Sequence, residues 1–232
     1  MTEYERWLSQ SLEDPKLTEE LEAVHGNEEE INDRFYQDLA FGTAGLRGVL
    51  GAGTNRMNIY TVRKATQGIA NYLNKRKTGA SVAIAYDSRI NSELFARETA
   101  AVFAANGVHA HLYPRLTPTP TLSFAVRYLK CDAGVCITAS HNPAKYNGYK
   151  AYGSDGCQIT SEMANDVSAE IAATDIFEGV RCMSFDEGMK QGLISWIPDK
   201  VMDEFLSAVE SQKMIDEPCT CLLYTSDAAD EL

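Results

Sequence analysis

Apolar positions recur along this chain in two rhythms. Leu17, Leu21 and Val24, then Ile31, Phe35 and Leu39, fall at helical spacing among acidic neighbours. This predicts two short helices over residues 1–40, separated at Gly26-Asn27 and packed on the domain downstream. A longer helix of about eighteen residues follows an Asn58 cap, with Ile59, Val62, Ile69 and Leu73 on one face. Short apolar runs then alternate with helices. Residues 82–86, 108–113 and 133–138 read as strands. A helix capped by Asn91 or Ser92 and ending at Asn106-Gly107 joins the first two, and residues 121–130 form another before the third. Pro114, Pro118 and Pro120 exclude regular structure from the loop between. Residues 147–153 read as a short strand, and 160–173 as a helix capped by Thr160 or Ser161. Residues 199–213, with Val201, Met202, Phe205, Leu206 and Val209, read as a helix opening another unit. Strands alternating with helices predict an α/β layered domain, whose ligand crevice lies beyond the strand C-termini. Asp87-Ser88-Arg89 and Ser140-His141 fall there.

Composition narrows the class. At 232 residues the chain is long for one domain and short for two full ones. Its 44% apolar and 23% charged content is ordinary for a soluble protein. No apolar run approaches the ~20 residues that span a bilayer, and the N-terminus lacks a basic start and apolar h-region. The expectation is a cytoplasmic protein without membrane contact. Six cysteines show no CxxC pair, as expected of reduced thiols. His109 and His111 share a strand face, but no third metal ligand is evident.

The net charge of −12 is unevenly spread. Residues 1–40 hold 12 acids and 3 bases, and residues 158–215 hold 11 acids and 4 bases. Residues 41–157 hold 14 bases and 5 acids. A cationic centre in an acidic chain suits a small anionic substrate. Nucleic acid is not the expected partner, since the bases form no basic helix or aromatic-interleaved pattern.

That basic block contains Thr138-Ala139-Ser140-His141-Asn142-Pro143, running on to Asn147-Gly148-Tyr149-Lys150. A hydroxyl that is phosphorylated and then gives the phosphoryl group away needs an exposed turn, a proton acceptor and nearby cations. Asn142-Pro143 favours the turn, His141 can exchange a proton near neutrality, and Lys150 is a cation. A Ser–His hydrolase would need an oxyanion hole and an orienting acid, usually around a G-x-S-x-G elbow, which Ala139-Ser140-His141 is not. Adjacent side chains also diverge on a strand-like backbone, which argues against a direct Ser140–His141 relay. Upstream, Phe41-Gly42-Thr43-Ala44-Gly45-Leu46-Arg47-Gly48 places glycines every third residue, permitting close approach to a ligand.

The two segments, about 95 residues apart, resemble the phosphoserine loop and the N-terminal motif of the α-D-phosphohexomutases, the phosphoglucomutase/phosphomannomutase family. The acidic start and the GTAGLRG form look most like its glucose-type branch. The resemblance implies a layered α/β/α first domain with a mixed sheet over residues 41–180, preceded by an acidic helical extension over 1–40. It further implies a linker and the start of a second domain over 181–215. Residues 216–232 fit badly with the rest of the chain and read as a truncation or a foreign read-through.

The resemblance also implies roles. Ser140 would carry the phosphoryl group, and His141 and Lys150 would assist proton transfer and charge neutralisation. Arg47, with Thr43 and Arg89, would bind phosphate. Mg²⁺ would be held through the Ser140 phosphate and carboxylates, with glucose 1,6-bisphosphate as activator and a phosphosugar as partner. The family's Asp-x-Asp-x-Asp-Arg metal loop and its later sugar- and phosphate-binding loops have no match here, so this chain is expected to lack mutase activity by itself. The rival from another class is a non-catalytic phosphosugar-binding or interaction module. Oligomeric state, and the choice among glucose, mannose and pentose, are not set by these residues.

Overall fold

The acidic first forty residues form three helices rather than two: α1 (Glu3–Leu8), α2 (Pro15–Ala23) and α3 (Glu28–Phe35). Each starts where a polar side chain accepts a backbone N–H of the first turn: Thr2, Asp14 and Asn27. Helix α1 escapes an apolar count because its buried face is only Tyr4 and Trp7. Both belong to the main core, where Trp7 meets Phe35, Tyr60 and Phe177 edge-on. A computed structural model describes residues 1–214. The expected atypical tail, with Cys219-x-Cys221, lies outside the described residues.

The remaining described helices are α4 (Ile59–Asn74), α5 (Ser92–Ala105), α6 (Thr119–Tyr128), α7 (Ser161–Ala172), α8 (Phe185–Lys190) and α9 (Asp199–Glu210). The strands are β1 (Leu46–Val49), β2 (Ser81–Tyr86), β3 (His109–Leu112), β4 (Ala133–Ile137), β5 (Tyr146–Gly153) and β6 (Ile194–Trp196). They make one mixed sheet in the order β1-β5-β4-β2-β3-β6. Strand β5 runs antiparallel to both β1 and β4, and the other pairings are parallel. Helix α6 packs on one face: a methyl at Gly134 of β4 would strike Val126 and Leu122. Val82, Ile84 and Val135 share the main core with Ile69 of α4 and Phe95 and Phe103 of α5.

Two helix starts differ from expectation for local reasons. Pro118 and Pro120 do not keep the chain irregular: the first is the α6 cap and the second lies in its first turn, where a missing N–H costs nothing. Asn91 precedes α5 in a left-handed conformation without a side-chain cap, and Ser92 is the first helical residue. Asn58, by contrast, caps α4 twice over and donates to the carbonyls of Gly51 and Gly53.

Strands β1 and β6, of four and three residues, are too short to show a period. Strand β6 pairs with β3, and the first compact unit runs from Met1 to Pro198. The second unit begins with α9, which leaves Leu206 and Val209 exposed. No helix among the described residues is long and apolar enough to cross a membrane.

Candidate active site

Strand β4 delivers the Ser140 turn at its C-terminal end, next to the end of β2, and β5 leads away from it. Ser140 itself has φ +55°, the left-handed region, which costs a non-glycine residue roughly 1–2 kcal/mol. Local bonds hold it there. The Ser140 N–H donates to Thr138 Oγ1 at 2.9 Å, and the Asn142 N–H to the Ala139 carbonyl at 3.1 Å. The chain thus turns sharply out of the buried strand and exposes Ser140, while Ala139 stays buried.

Lys150 reaches this serine from β5. Its Nζ donates to Ser140 Oγ at 2.7 Å. The register explains why: Lys150 stands opposite Cys136 and Tyr149 opposite Ile137 in the β4–β5 pair. The ten-residue separation is therefore the length of a turn between adjacent antiparallel strands. Beneath it, burial first of all pushes the Cys136 thiol up to about 11, so this cysteine stays neutral in the apolar layer.

Arg47 arrives from β1, where it pairs with Gly148 of β5. Its Nη1 donates to Asn142 Oδ1 at 2.7 Å, fixing an exposed guanidinium two residues beyond Ser140. Glycine is required on both sides of this approach. Gly45 has φ +76°, and a Cβ there would lie 1.8 Å from the Tyr149 carbonyl oxygen. A Cβ on Gly148 would lie 2.6 Å from the Thr138 carbonyl oxygen.

Arg89 sits at the end of β2 and faces the inside of the same turn. Its Nη1 donates to the carbonyls of Pro143 and Tyr146, each at 3.1 Å, and its Nη2 to those of Ser140, at 2.6 Å, and Asn142. Asp87 accepts the Arg89 N–H and the Ser92 hydroxyl through Oδ1, while Asn147 Nδ2 donates to Ser92 Oγ and the Ile90 carbonyl. A cleft of about 410 Å³ lies against Asp87, Ser88, Arg89, Ser140 and Asn142.

The structure thus brings Ser140, Lys150, Arg47 and Arg89 to one turn. His141 is exposed on that turn and makes no hydrogen bond to Ser140 among the described residues. Thr43 occupies the exposed turn between Gly42 and Gly45, whose backbones bond to each other, and makes no hydrogen bond to the Ser140 loop among the described residues. Asn142 and Thr138 complete the geometry. Both lie inside the motif, but only the fold reveals Asn142 as the anchor of an arginine 95 residues away.

No group of three or more His, Cys, Asp or Glu able to hold a metal occurs among the described residues. His109 and His111 stack at 4.3 Å between ring centres and share Ser195 Oγ, at 3.2 and 3.0 Å.

Comparison with known proteins places this geometry in context. Residues 38–176 match the family model described as phosphoglucomutase/phosphomannomutase, alpha/beta/alpha domain I. A phosphoglucomutase of Staphylococcus saprophyticus is 40% identical over 184 residues, covering 79% of this chain and 33% of its own length. One of Staphylococcus haemolyticus is 45% identical over 137 residues, covering 59% and 25%. The chain therefore spans about a third or less of the curated relatives it matches. A solved structure from Thermus thermophilus carrying a phosphomannomutase name superposes with a TM-score of 0.63 at 28% identity, over 75% of this chain and 36% of that one. A phosphoglucomutase/phosphomannomutase family protein from Burkholderia thailandensis shares the fold, with a TM-score of 0.58 at 21% identity, over 78% of this chain and 36% of that one.

Proposed function

The chain belongs to the phosphoglucomutase/phosphomannomutase family, and from that premise we propose that it supplies the phosphoserine part of an enzyme interconverting hexose 1-phosphate and hexose 6-phosphate. In this reading Ser140 Oγ carries a phosphoryl group. The P–Oγ bond breaks as a sugar hydroxyl attacks phosphorus, the hydroxyl loses its proton, and Oγ gains one. The product is a 1,6-bisphosphate. After it turns round, the other phosphoryl group returns to Oγ by the reverse chemistry.

Phosphoryl transfer needs positioning and charge stabilisation more than covalent assistance. Lys150 supplies both to the leaving oxygen, since its ammonium already donates to Oγ. Arg47, held by Asn142, offers a guanidinium to the phosphoryl oxygens. His141, exposed on the same turn, is assigned to the hydroxyl proton, and Thr43 to the rim of the phosphate site. The glucose-type substrate and the cytoplasmic setting belong to the same proposal, as does glucose 1,6-bisphosphate as activator.

The residues around Ser140 do not by themselves fit a Mg²⁺ site. A hard cation wants several oxygen ligands, whereas Ser140 is flanked by Lys150 and the acid lining its cleft, Asp87, is engaged by Arg89 and Ser92. The isolated chain is expected to show negligible mutase turnover.

The observation that carries the reading is the 2.7 Å bond from Lys150 to Ser140 on an exposed, strained turn. Intact-mass analysis after incubation with glucose 1,6-bisphosphate tests it. A phosphoryl-sized gain is expected in the native chain, slowed about a hundredfold or more in Lys150→Met and absent in Ser140→Ala. Binding of the bisphosphate without any gain at Ser140 would favour a phosphosugar-binding module instead.

A further inference from the structure

Arg89 spends both of its terminal nitrogens on the protein. A guanidinium has five N–H groups in a planar fork. Here Nη1 and Nη2 serve the carbonyl oxygens of Pro143, Tyr146, Ser140 and Asn142, and Nε lies 3.7 Å from Asp87 Oδ2. The side chain is only 14% exposed. To bind a phosphoryl group it would have to abandon carbonyls it already holds.

Peptide groups are planar and trans, so a carbonyl drawn to one side sends the next residue's N–H to the other. The Ser140 and Pro143 carbonyls are followed by the N–H groups of His141 and Ala144. Neither donates to a backbone acceptor among the described residues. The Asn142 carbonyl is followed by Pro143, which has no N–H.

We propose that Arg89 is a positioning residue for phosphoryl transfer: by gathering the carbonyls of the Ser140 turn it holds Ser140 left-handed and turns the His141 and Ala144 N–H groups outward as donors to the phosphoryl group. This rests on the reading of Ser140 as the phosphoryl carrier. It reassigns Arg89 from the phosphate site expected of it to the support of that site, and it adds two backbone donors to Lys150 and Arg47. Asp87 and Asn147 brace the clamp, because they tie the ends of β2, α5 and β5 together through Ser92.

The charge-conserving variant separates the possibilities. A lysine binds phosphate well as a point charge but cannot span four carbonyls. In the ligand-free full chain, amide exchange of Asn142 and Tyr146, which donate to the Ala139 and Pro143 carbonyls, should speed up about tenfold or more in both Arg89→Lys and Arg89→Gln. Titration of the native chain with inorganic phosphate should shift the His141 and Ala144 amide resonances and leave the Arg89 guanidinium resonances in place. Arg89→Lys should lose the amide shifts while keeping the native melting temperature within a few degrees. Native-like exchange and phosphate response in Arg89→Lys would overturn the proposal, as would an Arg89 signal that moves with phosphate. Should Arg89→Gln fail to fold, the lysine variant and the native titration still decide. The exchange readout needs no phosphoryl chemistry, so a native chain that never gains phosphate at Ser140 would sink the mutase reading alone.

Discussion

At the scale of single residues, the site depends on three backbone conformations that side-chain chemistry alone does not dictate. Ser140 is left-handed because Thr138, Asn142 and Arg89 hold its turn. Gly45 and Gly148 are glycines because carbonyl oxygens of neighbouring strands occupy the space a Cβ would need. Gly45→Ala therefore combines left-handed strain with a backbone clash that no rotamer change relieves. We expect it to destabilise the first unit by about 3 kcal/mol or more, read as a lowered urea midpoint. Gly79→Ala is the comparison: its φ is also positive, but nothing lies within 4 Å of the added methyl. That substitution should cost only about 1 kcal/mol. The motif marks these residues as chemically interesting, whereas the left-handed turn and the Arg47–Asn142 bond become visible only once β1, β4 and β5 lie side by side.

At the scale of elements, β6 forms the sheet's far edge, where Ser195 meets the stacked imidazoles of His109 and His111. Burial first, and then the neighbouring His109, lowers His111 below its ordinary value. A histidine lowered in the folded state disfavours folding once it must take a proton. Its contribution is intact above the free-imidazole value of about 6.5 and is lost as pH falls through the lower folded value. Thermal melts of the native chain should thus drop as pH falls below about 6.5, and His111→Gln should flatten that slope. An unchanged slope would show that other groups carry the acid sensitivity. Alternation alone puts His109 and His111 on one face, but their partner Ser195 sits in a three-residue strand 84 residues further on than His111. A segment that short has no periodic signature, which is why β6 is not legible in the sequence.

At the scale of the whole first unit, the acidic extension acts as part of the core and as a charge partner. Trp7 is fully buried among aromatic rings of α3, α4 and Phe177, and its indole N–H has no hydrogen-bond partner among the described residues. Trp7→Ala is expected to cost about 3–5 kcal/mol, measured by denaturant unfolding. Trp7→Phe should recover most of that, because no hydrogen bond is forfeited. The extension also answers the basic block: Asp33 pairs with Arg56, Glu13 with Arg63 and Asp38 with Lys64. The basic block is therefore no uniform field; several of its cations are neutralised on α4 and the turn before it, while Arg47 and Lys150 converge on Ser140. Local sequence was enough to determine the Asn58 and Thr160 helix caps, strands β2 to β5 and the family to which the two motifs point, because these depend on neighbours a few residues apart. The tertiary structure alone decided the strand order, the edge strands, the left-handed serine and the engagement of Arg89 with carbonyls. Each of those requires groups tens of residues apart to meet, and that meeting is set by burial and register rather than by local propensity.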